Sequence, residues 1–143
     1  MVFMSEAAAE VFQDAWPEFF PKGVPPKTAE DAEGEFFRLV RVSPPTAQCF
    51  LSTHEEYPNR HKKCKGEALI CVFGTSFFSE MRGANDAKAK FPEALGNRLV
   101  AKGQVTPLMG VMKKTFADPA HYTIWLRTNS HIHEHFECVG EGE

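Results

Sequence analysis

Three short segments carry side chains that could bind a phosphorylated ligand. Arg38 lies in an apolar run, Thr75 and Ser76 follow a glycine, and His121 begins a run of aromatic and β-branched residues. A guanidinium binds phosphate through a two-pronged hydrogen-bond fork, and hydroxyl and imidazole groups can bind a ribose. Each residue also has a structural explanation: Arg38 could pair with an acid, Ser76 could cap a turn, and His121 could be a hydrogen-bonded core residue. Together they are typical of a site for a ribose and a diphosphate.

A second candidate site is the histidine run near the end of the chain. If residues 132–139 form a strand, the side chains of His131, His133 and His135 share one face. Three convergent imidazoles could hold zinc or nickel. On the polar face of a near-terminal strand, however, water is the simplest partner, and we expect no metal. A second set of four side chains matches no zinc motif: His54, His61, Cys64 and Cys71.

Other common catalytic signatures are missing from the sequence. No Gly-x-Ser-x-Gly elbow is present, and neither is a P-loop or a Gly-x-Gly-x-x-Gly fingerprint. Serine-hydrolase, Walker and Rossmann sites are therefore not indicated. The paired acids Glu55 and Glu56 fall in a segment predicted to be a polar loop, so they do not indicate acid–base chemistry.

Arg38 is the most informative residue, because of the strand that should carry it. The run 36–42 is aromatic and β-branched and is followed by Pro44 and Pro45, which end a strand. Alternation puts Arg38 on the same face as Phe36 and Val40. An arginine on an apolar face needs an anion or another partner.

The remaining elements predict a mixed α+β fold. Ser5 could cap a helix that Pro17 ends, Phe19 and Phe20 should fold back onto the body, and residues 21–34 form a linker. The further predictions are a helical turn capped by Thr46, an exposed loop over 54–66, a strand over 68–73, a helix over 79–90, and strands over 97–101, 105–112, 121–126 and 132–139. The order is helix, strand, short helix, strand, helix and then several strands, which favours a mixed α+β fold over a doubly wound parallel sheet.

Composition indicates one core and no membrane span. The 143 residues are 43% hydrophobic and 24% charged, which suits a single stable domain. Without a signal peptide or a long apolar run, we expect a cytoplasmic protein with reduced cysteines.

The charge is unevenly distributed along the chain. Residues 1–35 hold eight acids and two lysines, whereas residues 60–127 hold twelve Lys or Arg and five acids. That basic middle could attract nucleic acid or an acidic partner, or it could pack against the acidic arm.

Taken in order, these segments resemble a known family. Phe37-Arg38, Gly74-Thr75-Ser76-Phe77-Phe78 and Ala120-His121-Tyr122-Thr123-Ile124 are similar to segments of small bacterial toxins with an ADP-ribosyltransferase-like fold, including a type VI secretion effector that acts through NAD. A broader set of bacterial proteins shares Arg38-Leu39-Val40, Pro44-Pro45-Thr46, Phe50 and Ser52. The resemblance covers residues 36–139. It implies an acidic N-terminal helix and linker over 1–35 and an ADP-ribosyltransferase-like domain over 36–143, with mostly antiparallel sheets and a few short helices.

The resemblance also implies roles for individual residues. Arg38 would orient the NAD ribose or phosphate, Ser76 with Thr75 would support the nicotinamide ribose, and His121 would occupy the third motif position. Phe78, Tyr122 and Thr123 would complete the NAD site. The expected activity is transfer of ADP-ribose to a target protein or nucleic acid, or hydrolysis of NAD, in a toxin or phage–bacterium conflict role with a cognate immunity protein.

One feature departs from the pattern and leaves room for other functions. No Glu adjoins His121, although a carboxylate is expected to steady the cationic transition state; Glu134 or Glu137 could supply it. The alternative to an enzyme is a non-catalytic protein inhibitor, of a kind that a phage could encode, that blocks a host complex through its charged surface. A regulator that binds metal through the three histidines is the third interpretation.

Overall fold

The structure is a computed structural model that describes residues 15–116 and 120–139. Its described part contains a seven-stranded antiparallel sheet with a few short helices, which confirms the α+β class. The strands are β1 (Glu30–Asp31), β2 (Gly34–Val40), β3 (Thr75–Phe78), β4 (Leu99–Val105), β5 (Gly110–Lys114), β6 (His121–Leu126) and β7 (Phe136–Val139), in the spatial order β1-β5-β6-β3-β2-β4-β7.

Each face of the sheet carries its own apolar cluster. Phe36, Val40 and Phe77 lie on one face, which is covered by the turn at Phe50 and by Phe136. The opposite face carries Phe37, Leu39, Phe78 and Val100, and it packs against Ala84 of a helix. Because both faces are buried, β2 has little room for the polar alternation of a half-exposed strand.

The sheet is almost divided in two between β2 and β3. Those strands share a single residue pair, Phe37 with Phe78, whereas β2 pairs with β4 over seven residues, from Gly34 to Val40. Beyond Phe37 the two strands separate, and the space between them is available to side chains.

In the described ranges, four helices connect the strands: α1 (Thr53–Glu56), α2 (Glu67–Cys71), α3 (Met81–Lys90) and α4 (Pro92–Leu95). Turns of 3-10 helix cover Ala47–Phe50, Arg60–Lys63, Pro107–Met109 and Ile132–His135. The turn after Thr46, the helix ending at Lys90 and the strand His121–Leu126 agree with the sequence predictions.

Several predicted elements are wrong or displaced. The predicted strand over 68–73 is helix α2, because a short apolar run does not by itself distinguish a strand from a buried helix. The predicted loop over 54–66 contains the end of α1 and a 3-10 turn. The predicted first strand, 36–42, begins and ends two residues earlier, as β2. The strands predicted over 97–101 and 105–112 are displaced, and β4 and β5 take their place.

The segment before β2 is attached to the body at several points. Phe19 packs against His54 with ring centroids 5.3 Å apart, Thr128 N–H donates to the Ala15 carbonyl over 2.9 Å, and β1 pairs with β5. Phe19 therefore folds back as predicted, while the predicted helix over 5–16 lies almost wholly outside the described residues. Within residues 15–116 and 120–139, no helix has the length and apolar character needed to span a membrane.

Candidate functional site

Arg38 bridges the gap where β2 and β3 separate. Its Nε donates a hydrogen bond of 2.7 Å to the Cys49 carbonyl, and its Nη1 donates one of 2.8 Å to the Ser76 carbonyl. The guanidinium carbon also lies 5.8 Å from the ring centre of Phe50 and 5.7 Å from that of Phe77. Charged donors of this kind stabilise carbonyls that would otherwise have no strand partner. Arg38 therefore holds the divided sheet in place, and its partners are backbone carbonyls rather than an acid.

Two adjoining cavities open at this division. One, of about 540 Å³, is lined by Arg38, Arg41, Cys49, Glu56 and Arg98 among others. The second, of about 500 Å³, is called here the Ser76 cavity. Its lining includes Arg38, Ser76, Phe78, Arg98 and His121. Both volumes lie within the range usual for small-molecule sites.

The structure thus brings four of the seven predicted site residues to one cavity. Arg38, Ser76, Phe78 and His121 all line the Ser76 cavity. The register explains the meeting of Ser76, Phe78 and His121, because Ser76 lies opposite Thr123 and Phe78 lies opposite His121 on neighbouring antiparallel strands, so that their side chains emerge on the same face. Arg38 belongs to the other face of β2 and reaches the cavity through the gap between β2 and β3, where it donates to the Ser76 carbonyl.

The other three predicted residues line neither of these two cavities. Thr75 is 2% exposed, and its hydroxyl donates to the Phe50 carbonyl over 3.2 Å. Tyr122 packs edge-on against Phe36, with ring centroids 5.3 Å apart. Thr123 is buried, and its hydroxyl lies 2.9 Å from that of Thr115. All three have contacts that explain them as core residues.

His121 belongs to a hydrogen-bonded chain at the edge of the cavity. Its Nδ1 lies 2.9 Å from the Thr115 hydroxyl, which is itself 2.9 Å from the Thr123 hydroxyl. The ring also meets Phe78 edge-to-face at a centroid distance of 5.5 Å. These contacts hold the imidazole in a defined orientation where it lines the cavity.

Helix α1 adds residues that the sequence did not indicate. Ser52 and Glu55 form a capping box: the Ser52 hydroxyl accepts from Glu55 N–H over 3.2 Å, and Ser52 N–H donates to Glu55 Oε1 over 2.9 Å. Thr53 N–H donates to the Gly74 carbonyl over 3.2 Å, which ties the helix to the start of β3. As a result Glu56 and Tyr57 line both cavities. The Ser52-x-x-Glu55 pattern is a signal that could have revealed this helix.

The electrostatics of the cavities are dominated by arginine. Burial lowers the pKa of Arg38 to about 10; nearby Glu56 acts in the opposite direction, and Arg98 adds to the lowering. Arg38 therefore stays cationic at neutral pH. Glu56 forms an ion pair with Arg41 at 3.5 Å. Arg98 makes no ion pair or side-chain hydrogen bond with any residue of 15–116 and 120–139.

The histidine run does not form the predicted strand face. His131 adopts a positive φ of 53°, and Ile132–His135 is a 3-10 turn, in which alternate residues do not share a face as they do on a strand. Across the described ranges, no three His, Cys, Asp or Glu side chains are grouped so as to hold a metal ion. All four cysteines are free, and Cys49 and Cys71 are buried.

No protein-family model, curated protein or solved structure matches this chain. Any functional conclusion therefore depends on the geometry of the cavities and on the motifs described above.

Proposed function

We propose that this protein binds NAD in the Ser76 cavity and acts as an ADP-ribosyltransferase-like enzyme, either transferring ADP-ribose to a macromolecule or hydrolysing NAD. The observation that carries this proposal is the meeting of Arg38, Ser76 and His121 around one cavity, from three segments that are far apart in sequence. Those are the segments whose motifs resemble the toxin family.

The charges of the cavity suit a diphosphate. Arg38 has used Nε and Nη1 on carbonyls, and its Nη2 has no hydrogen-bond partner among residues 15–116 and 120–139. Arg98 lines the same cavity and is likewise without an ionic partner in that part of the chain. Glu56 offsets part of the repulsion between the two cations, but it is itself paired with Arg41, so a further anion between Arg38 and Arg98 would still be favourable. A diphosphate would supply two negative oxygens at this position.

A carboxylate is also present at the cavity. Cleavage of the bond between ribose and nicotinamide builds positive charge on the ribose, as in glycoside hydrolysis, and a nearby carboxylate stabilises that charge. Glu56 lines the cavity with Arg38 and Ser76, and it takes the role that the sequence left to Glu134 or Glu137. The antiparallel sheet and the few short helices support the proposal at the level of the α+β class.

The test is NAD binding by calorimetry and by thermal shift, with Arg98→Ala as the principal variant. Because Arg98 has no ionic partner within the described residues, its loss should leave the melting temperature unchanged while weakening NAD binding about tenfold or more, the value of one charged hydrogen bond. Arg82→Ala is the matched control, since Arg82 is exposed and pairs with Glu80 and Asp86. Equal affinity in both variants, or no binding at millimolar NAD, would contradict the proposal.

Catalysis is tested separately, by release of nicotinamide. Glu56→Gln should bind NAD with affinity close to that of the wild type but release nicotinamide at least about a hundredfold more slowly, as expected when charge stabilisation is lost. If the variant and the wild type both bind NAD and neither releases nicotinamide, the protein is a binder without this activity. The non-catalytic inhibitor then becomes the better explanation.

A further inference from the structure

We propose that the surface beside the Ser76 cavity binds single-stranded nucleic acid. The surface consists of three residues that line the cavity, Tyr57, Arg60 and Phe91, and of the exposed lysines that follow Arg60 in the chain, Lys62, Lys63 and Lys65. It is called the basic-aromatic rim. Binding by the rim does not require NAD; only the further step, in which the bound strand is the acceptor of ADP-ribose, rests on the proposed function.

The cations of the rim are not neutralised by the protein. Lys62, Lys63 and Lys65 are exposed, and none makes an ion pair with a residue of the described ranges. Elsewhere, Arg41 and Arg82 are paired with acids. Glu67 is the acid that follows this segment, so residues 60–67 carry four Lys or Arg against one acid. An exposed, uncompensated run of this kind attracts phosphates.

Two exposed aromatic rings line the cavity, and each lies beside a cation. Tyr57 is 45% exposed and Phe91 is 52% exposed. The Arg60 guanidinium lies 4.4 Å from the centre of the Tyr57 ring, and Lys90 Nζ lies 5.6 Å from that of Phe91. The exposed part of each ring is accessible to a base that could stack on it.

The combination favours a single strand over an acidic protein or a duplex. An acidic peptide would use the cations but would have no need of two exposed rings. A single strand uses both, because its phosphates follow the cations while its unpaired bases stack on aromatic side chains. The bases of a duplex are already stacked on each other and are not available to the rings.

The experiment measures fluorescence anisotropy of labelled single strands of about 12 nucleotides, a length typical of such sites, as oligo-dT and oligo-U. The wild type should bind both strands, and more weakly as salt rises. The triple variant Lys62→Glu/Lys63→Glu/Lys65→Glu should bind on the order of a hundredfold more weakly at low salt, with the slope of log K against log salt reduced by about 2. Tyr57→Ala and Phe91→Ala should each lose about tenfold, since each removes one base stack.

The matched control is Lys22→Glu/Lys27→Glu/Lys114→Glu, which makes the same change in net charge at exposed lysines that are not part of the basic-aromatic rim. It should retain binding within about threefold. Equal losses in the two triple variants would overturn the proposal, because only net charge would then matter. The proposal also fails if a duplex binds as tightly as the single strand, or if polyglutamate displaces the strand while Tyr57→Ala has no effect. The last result would assign the rim to an acidic protein.

Failure here and failure of the proposed function are distinguishable. Absence of strand binding in a protein that still binds NAD removes the rim proposal alone. Strand binding by a protein that does not bind NAD leaves the rim proposal intact and removes the enzyme.

Discussion

Replacement of Arg38 by lysine should destabilise the protein more than replacement by methionine. The guanidinium now satisfies two carbonyls, those of Cys49 and Ser76. In Arg38→Met both carbonyls are left unpaired, which costs about 2–6 kcal/mol, at about 1–3 kcal/mol for each.

Methionine also removes a buried charge, and this relief stabilises the variant. Burial lowers the Arg38 pKa to about 10, well below its ordinary value, so that relief is at most about 3 kcal/mol. With about 4 kcal/mol as the middle of the cost and about 2–3 kcal/mol as the relief, Arg38→Met loses about 1–2 kcal/mol net.

Lysine keeps the unfavourable charge but loses the geometry. Its ammonium is more strongly hydrated than a guanidinium and cannot reach both carbonyls as a fork does. We therefore expect Arg38→Lys to lose about 3 kcal/mol or more in the free energy of unfolding. The assay is urea denaturation at pH 7, followed by the fluorescence of Trp16 and Trp125. Arg82→Lys and Arg82→Met, at an exposed arginine, should stay within about 0.5 kcal/mol. Wild-type stability in Arg38→Lys would refute the reasoning, because it would show that one donor is enough to bridge the strands.

Three further predictions concern the supports of the cavity. Gly74→Ala should lose about 2–3 kcal/mol in urea denaturation, because its Cβ would overlap Thr123 Cγ2 and lie 3.1 Å from Trp125 Nε1. In Gly23→Ala the added Cβ has open space, and only the positive φ of 90° is unfavourable, at a cost of about 1–2 kcal/mol. A smaller loss at Gly74 than at Gly23 would contradict the prediction. Ser52→Ala removes the cap of α1 and should lower the free energy of unfolding by about 1 kcal/mol. It should also weaken NAD binding, because α1 positions Glu56 and Tyr57 at the cavity. Ser130→Ala, at a residue outside both cavities, is the control. Cys49 should react with iodoacetamide at pH 7.5 faster than Cys71, although each residue is 8% exposed. Burial alone raises the pKa of both thiols. At Cys49, hydrogen bonds from Thr46 and from the amides of Arg41 and Val42 outweigh burial and lower the pKa, whereas at Cys71 the pKa stays raised. Peptide mass spectrometry gives the two rates, and equal rates would contradict the prediction.

The importance of Arg38 could be predicted because the alternation of a strand is a local property. An arginine between Phe36 and Val40 on one face is anomalous wherever the strand lies. Its partner could not be predicted in the same way. The Ser76 carbonyl becomes available only because β2 and β3 separate after one pair, and the Cys49 carbonyl comes from the turn Ala47–Phe50 that packs beside them. Both depend on the arrangement of the whole sheet.

The cavity was predictable only in part, for a similar reason. Ser76 and His121 meet because β3 and β6 are antiparallel neighbours, an arrangement that two strand motifs can suggest. Glu56 ends the short helix α1, and Arg98 directly precedes β4. Polar residues are common at both kinds of position, so neither residue indicates a site. Long-range packing brings them to Arg38, and no local sequence pattern predicts that packing.

Arg38 could bind an anion only through part of its guanidinium. Nε and Nη1 already donate to the carbonyls of Cys49 and Ser76, so only Nη2 could donate to a phosphate oxygen, and the two-pronged contact expected from the sequence could not form. Arg98, which makes no ion pair within the described residues, must then contribute most of the binding energy for a diphosphate, while Arg38 supplies position and charge. An anion between the two would also relieve their mutual repulsion and compensate the buried charge. Ligand binding should therefore stabilise the junction of β2 and β3, where the sheet is weakest, and protection of the β3 amides from hydrogen exchange should increase more on adding NAD than that of the β5 amides.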